Sequence, residues 1–86
     1  MILKDKVQER IELLAITAEE CGELTQECMK IVRFGQDTDN LTKEAGDVMC
    51  MIQLLIEKDL VNQAELNKRI VEKREKLKTF STLTNL

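Results

Sequence analysis

Apolar residues return every third or fourth position from about Val7 to Phe34, which predicts a first helix with one buried face. Thr17 and Glu20 match the T-x-x-E pattern of a helix start, so a break or kink could fall there. "GQDTDN", residues 35 to 40, is a turn by composition, with Gly35 placed to end the first helix and Asn40 to cap the next. A second helix is expected from about Leu41 to Lys58, followed by the short connection "DLVN". Asn62 with Glu65 three residues on starts a third helix that runs to about Lys78. "TFSTLTNL", residues 79 to 86, is left as a flexible tail expected to find its packing on a partner. Short connections predict that consecutive helices lie antiparallel.

Two places break the amphipathic pattern. At about 100° per residue, Leu13 and Ile31 fall within about 20° of Glu20, and Ile16 and Leu24 within about 40°. Glu20 therefore lies in the middle of the apolar stripe, with Glu23 about 60° away, one turn along the same face. The second helix repeats the arrangement. Met51 and Leu55 fall within about 20° of Glu44, Val48 at about 40°, and Asp47 at about 60° on the same side. An ionised carboxylate in an apolar seam is costly unless it is paired or bound to a cation. In an antiparallel hairpin Glu20, Glu23, Glu44 and Asp47 would converge as a cage of oxygen ligands, suited to Mg²⁺ or Mn²⁺ rather than zinc.

The other acidic positions need less. Glu9, Glu12 and Glu57 read as a solvated face, and Glu19 lies off the stripe. Glu27, about 20° from the direction of Glu20, is either a fifth acidic ligand or the partner of a Lys on a neighbouring helix. On the third helix Leu66, Ile70, Leu77 and Phe80 form one stripe with Lys73 inside it, where a cation could meet a phosphate, the acidic cluster or simply water.

Composition narrows the class. The 86 residues contain no Pro, Trp, Tyr or His and 3 Gly, and Leu, Ile, Val, Ala, Met, Glu and Lys dominate, which points to one small all-α domain over residues 1–86, a helical hairpin or bundle of three to four helices. A formal charge of −3, with both signs mixed along most of the chain, offers no basic face for a nucleic acid. "MILKDKVQER" has no apolar core of signal-peptide length and no apolar run approaches the roughly 20 residues that cross a bilayer, so a soluble, cytoplasmic protein is expected. Cys21, Cys28 and Cys50 form no CxxC pair and have no His to share a zinc with; they read as reduced, mostly buried small apolar residues. "DTDN" lacks the Gly and the closing Glu of a calcium loop. The lack of His also argues against a di-iron bundle built on Glu-x-x-His.

At the paired carboxylates the sequence resembles the MazG-like, all-α nucleoside triphosphate pyrophosphohydrolases. Their signature is E-x-x-E, a variable spacer, then E-x-x-D; here it reads Glu20-Cys-Gly-Glu23 and Glu44-Ala-Gly-Asp47, within "EECGEL" and "EAGDVMCMI". The resemblance covers roughly residues 10 to 78. It implies hydrolysis of a (d)NTP to the monophosphate and pyrophosphate, with Mg²⁺, or Mn²⁺ as a substitute, held by the four matching carboxylates. It also implies a subunit completed as a homodimer or homotetramer. A divalent ion fits this chemistry because it neutralises triphosphate oxygens and lowers the pKa of a bound water. Glu23 or Glu20 is the candidate to orient or deprotonate that water. Lys30, Arg33, Lys68 and Lys73 are candidate phosphate contacts, Lys73 foremost. Several relatives hold the base with Trp, Tyr or His; here Phe34, Asn67, main-chain groups or a neighbouring subunit would have to do so. The alternatives are a related pyrophosphohydrolase of the phosphoribosyl-ATP type and a non-catalytic helical association module.

Overall fold

The computed structural model describes residues 5–86; residues 1–4, which the expected domain includes, lie outside the described residues. Three helices follow one another with no strand among the described residues: α1 (Lys6–Phe34), α2 (Asp39–Glu57) and α3 (Gln63–Phe80).

α1 begins at Asp5, whose carboxylate accepts the Gln8 backbone N–H at 2.8 Å, and runs unbroken through the point where Thr17 and Glu20 suggested a cap. The reason is local: the Thr17 hydroxyl donates back to the Leu13 carbonyl at 2.8 Å, a bond available to Thr inside a helix, and so it caps nothing. Gly35 ends the helix as expected, at φ 67°, with its N–H on the Ile31 carbonyl. Asn40 is not the cap of α2. That helix starts at Asp39 behind Thr38, without a side-chain cap, and the Asp39 N–H is taken instead by the Asp37 carboxylate at 3.1 Å.

α2 closes with a Schellman motif: Leu60 N–H donates to the Leu55 carbonyl and Asp59 N–H to the Ile56 carbonyl, with Asp59 in the left-handed region at φ 60°. α3 is capped by Asn62, which accepts the Glu65 N–H at 2.9 Å. It extends two residues beyond the expected Lys78, to Phe80. The tail turns back from there: the Ser81 hydroxyl donates to the Leu77 carbonyl, and Arg74 reaches the Leu86 carbonyl at 3.4 Å.

α1 and α2 form the antiparallel hairpin, clamped at its open end by Lys58 Nζ on Glu9 Oε1 at 2.6 Å. Glu9 is thus an ion-pair partner rather than a merely solvated carboxylate, and its hydrogen bond, then its charge, hold the Lys58 ammonium above its ordinary pKa. Leu13, Met51 and Leu55 make the buried apolar core, with Leu54, Leu60 and Val61 packed against it. α3 departs from the expected antiparallel stacking. It has no buried residue and no packed interface with the hairpin, which leaves an elongated molecule of 51 × 32 × 16 Å. The stripe of Leu66, Ile70, Leu77 and Phe80 therefore covers no core within the chain; Phe80 is 83 % exposed.

The three cysteines are free, as expected, but exposed rather than buried. Each sits roughly 80–120° off its helix's inward direction, a flank that a two-helix hairpin does not cover.

Candidate metal centre

The hairpin brings both carboxylate pairs to one place. Glu20 and Glu23 from α1 and Glu44 and Asp47 from α2 each offer a carboxylate oxygen, and these oxygens all lie within 4.8 Å of one another. The cause is the i, i+3 spacing on each helix combined with antiparallel packing, which sets one turn of α1 against one turn of α2. Glu20 and Glu44, nearest the seam, are half-buried; Glu23 and Asp47, displaced toward its edge, are exposed.

Among the described residues nothing neutralises the group. No Lys or Arg among them forms an ion pair with any of the four, and Oε2 of Glu20 and Oε2 of Glu44 are buried with no hydrogen-bond partner. Two orphaned acceptors on acidic side chains, facing two further carboxylates, ask for a cation. The electrostatics agree. Burial first, then the Glu23 and Asp47 charges, holds the Glu20 carboxyl above its ordinary pKa. Burial first, then the adjoining Glu23 carboxyl, then Asp47 and Glu20, does the same to Glu44. Four hard oxygen donors without nitrogen or sulfur fit a hard divalent ion such as Mg²⁺ or Mn²⁺.

Glu27 is neither a fifth ligand nor the partner of a neighbouring helix. It is buried, and its carboxylate accepts from Lys30 of its own helix at 3.1 Å, one turn along. Lys30, a candidate phosphate contact, is therefore tied beside the cage with about half its side chain exposed (47 %). Arg33 stands exposed in the last turn of α1. Lys68 and Lys73 are exposed on α3, which does not pack on the hairpin, so the chain alone does not bring them to the carboxylates. Phe34 is exposed at the end of α1, and Asn67 is exposed on α3. A cleft lined by Lys6, Arg10, Glu57 and Lys58 lies at the open end of the hairpin, away from the cage.

Sequence reasoning missed the Glu27–Lys30 and Glu9–Lys58 pairs. The first was readable as an i, i+3 pair; the second depends on helix register and had no local signal.

No curated protein and no solved structure matches the chain significantly. The family model of the MazG nucleotide pyrophosphohydrolase domain matches residues 8–79, which spans both halves of the carboxylate cage and all three helices. With that match over most of its length, the chain belongs to the MazG nucleotide pyrophosphohydrolase family.

Proposed function

We propose that the chain is a Mg²⁺-dependent nucleoside triphosphate pyrophosphohydrolase, converting a (d)NTP and water to the (d)NMP and pyrophosphate. The observation that carries this reading is the four-carboxylate cage with its two orphaned, buried oxygens in a chain of this family. Glu20, Glu23, Glu44 and Asp47 hold the divalent ion. When bound, the ion supplies charge neutralisation at the triphosphate and activation of water. Glu20 or Glu23 orients the attacking water and takes its proton, so no protein nucleophile is used. Lys30 and Arg33, beyond the cage on α1, meet phosphate oxygens; Lys68 and Lys73 join them from α3 of another copy, in a homodimer or homotetramer of this single domain. The substrate pool places the activity in the cytoplasm.

The test is pyrophosphate release from a panel of dNTPs and NTPs with Mg²⁺, with Mn²⁺ and with EDTA. Metal-dependent release with the monophosphate as co-product supports the proposal. Release from phosphoribosyl-ATP alone would move the assignment to that substrate. A folded protein that is silent on every substrate, and whose melting temperature millimolar Mg²⁺ leaves unchanged, would overturn the enzyme reading in favour of an association module, since an ion bound only by the folded state must stabilise it.

A further inference from the structure

The carboxylate cage sits in a seam whose two ends differ. The Glu9–Lys58 ion pair sets the register of α1 on α2, which puts Glu20 opposite Asp47, Glu23 opposite Glu44, Leu13 opposite Leu54 and Glu27 opposite Asn40. At about 100° per residue, Ile16, Glu23, Glu12 and Lys30 lie about 40–80° from Glu20 in one sense of rotation. Asp47, Leu54 and Lys43 lie about 60–100° from Glu44 in the same sense. Because α2 runs opposite to α1, that shared sense brings them all to one side of the hairpin. The cage opens on this side, with Glu23 and Asp47 exposed.

Toward the 35–38 connection this side is cationic. Helical side chains lean toward the N-terminus of their own helix, so Lys30 leans back toward the cage while Lys43, on the antiparallel helix, leans away from it. The bond from Lys30 to Glu27 at 3.1 Å shows the first of these directions. Both ammonium groups are thereby directed to one level, that of Glu27 and Asn40, about one turn beyond Glu23 and Glu44. Lys43 is exposed, and among the described residues it forms no ion pair.

Toward the open end of the hairpin the same side is aliphatic. Ile16, 36 % exposed, stands one turn from Glu20, and Leu54 packs on Leu13 beside it. A cavity of about 320 Å³ lined by Glu9, Glu12, Leu13 and Ile16 lies there, within the roughly 300–1,000 Å³ of small-molecule sites. From Glu20 to Leu13 the helix rises about 10 Å, the reach of a nucleoside from its α-phosphate. Glu19, exposed and acidic, borders this end and repels a polyphosphate. The cations of the open end, Lys6, Arg10 and Lys58, line the other cleft, and Lys58 is held by Glu9.

We infer that a nucleoside triphosphate lies along this side of the seam in one direction: its β- and γ-phosphates point toward the 35–38 connection, under Lys30 and Lys43, and its nucleoside rests on the aliphatic shelf of Leu13, Ile16 and Leu54. The inference rests on the pyrophosphohydrolase reading for its ligand, and it adds Lys43 and the shelf to the site. Pyrophosphate then departs from the cationic end, and apolar contact holds the base at the other.

The test irradiates the full chain with 8-azido-ATP and with 5-azido-UTP in Mg²⁺ and maps the adducts by mass spectrometry. Adducts on residues 12–16 or on Leu54, displaced by excess inorganic tripolyphosphate, are expected. Calorimetry then measures tripolyphosphate and the α,β-methylene analogue of whichever nucleotide labels more. Ile16→Ser is expected to weaken the methylene nucleotide about tenfold and to leave tripolyphosphate unchanged, whereas Lys43→Gln weakens both about tenfold. Adducts on residues 26–43, no displaceable adduct from either probe, or an equal loss of both ligands in Ile16→Ser would overturn the inference. Pyrophosphate release from the unmodified protein judges the catalytic reading separately. Release with adducts at the wrong end refutes only the direction, and the expected adducts without release refute only the catalysis.

Discussion

Glu44 shows most directly how one side chain ties stability to chemistry. Its Oε2 is buried without a partner, and burial together with the neighbouring carboxylates raises its pKa. Glu44→Gln is expected to cut metal-dependent turnover by on the order of 10²–10³, the loss typical of removing one electrostatic contact to a transition state. The same variant should melt at or above the temperature of the metal-free parent, because the amide removes like-charge repulsion. Full activity in that variant would exclude Glu44 as a ligand. A pH dependence follows from Glu20 and Glu44 together. Their folded pKa values lie above the unfolded ones, so between the two the native state binds more protons, and stability falls as pH rises. The stabilisation is whole below the ordinary Glu value of about 4.3 and is lost as pH climbs through the raised folded values. With metal removed, the parent should therefore lose melting temperature from about pH 4 toward neutrality relative to the Glu20→Gln/Glu44→Gln double variant. Parallel curves would show that burial and repulsion at the cage do not raise the two carboxyls.

The ends of the helices show how much each element owes to its own sequence. Gly35 and Asp59 occupy equivalent left-handed positions after α1 and α2, one with the residue suited to that backbone and one without. Gly35→Ala is expected to destabilise by about 1 kcal/mol and Asp59→Gly to stabilise by about 0.5 kcal/mol, opposite signs at matched sites. Urea unfolding with unchanged m-values would measure both. Gly35 and Asn62 were readable caps, since the competing conformations there are local. Thr17 misled for a reason equally local: its hydroxyl had a second partner in the Leu13 carbonyl, and helix-compatible sequence continued past it to Phe34. Asn40 misled because Asp37 captured the first free N–H before it.

At the scale of the molecule the buried apolar core among the described residues is Leu13, Met51 and Leu55, and α3 leaves its Leu66–Phe80 stripe off it, so the proposed homo-oligomer would supply the missing packing. Stability should therefore rise with protein concentration, and the melting temperature of a dilution series from about 100 to 1 µM is expected to fall by several degrees. A constant value would mean that the hairpin is self-sufficient.

The helices, the αL stop at Gly35 and the shared direction of Glu20, Glu23, Glu44 and Asp47 were all determined by sequence, because helical period and capping depend on neighbours within a few residues. Tertiary structure decided that the two pairs close to within 4.8 Å and that Lys58 meets Glu9 rather than water. It also decided that Glu27 turns to Lys30, that the cysteines stay on uncovered flanks and that α3 leaves the hairpin. Each of these depends on the register and reach of one helix against another, and a helical period, which assigns every residue a direction, says nothing of what stands in it.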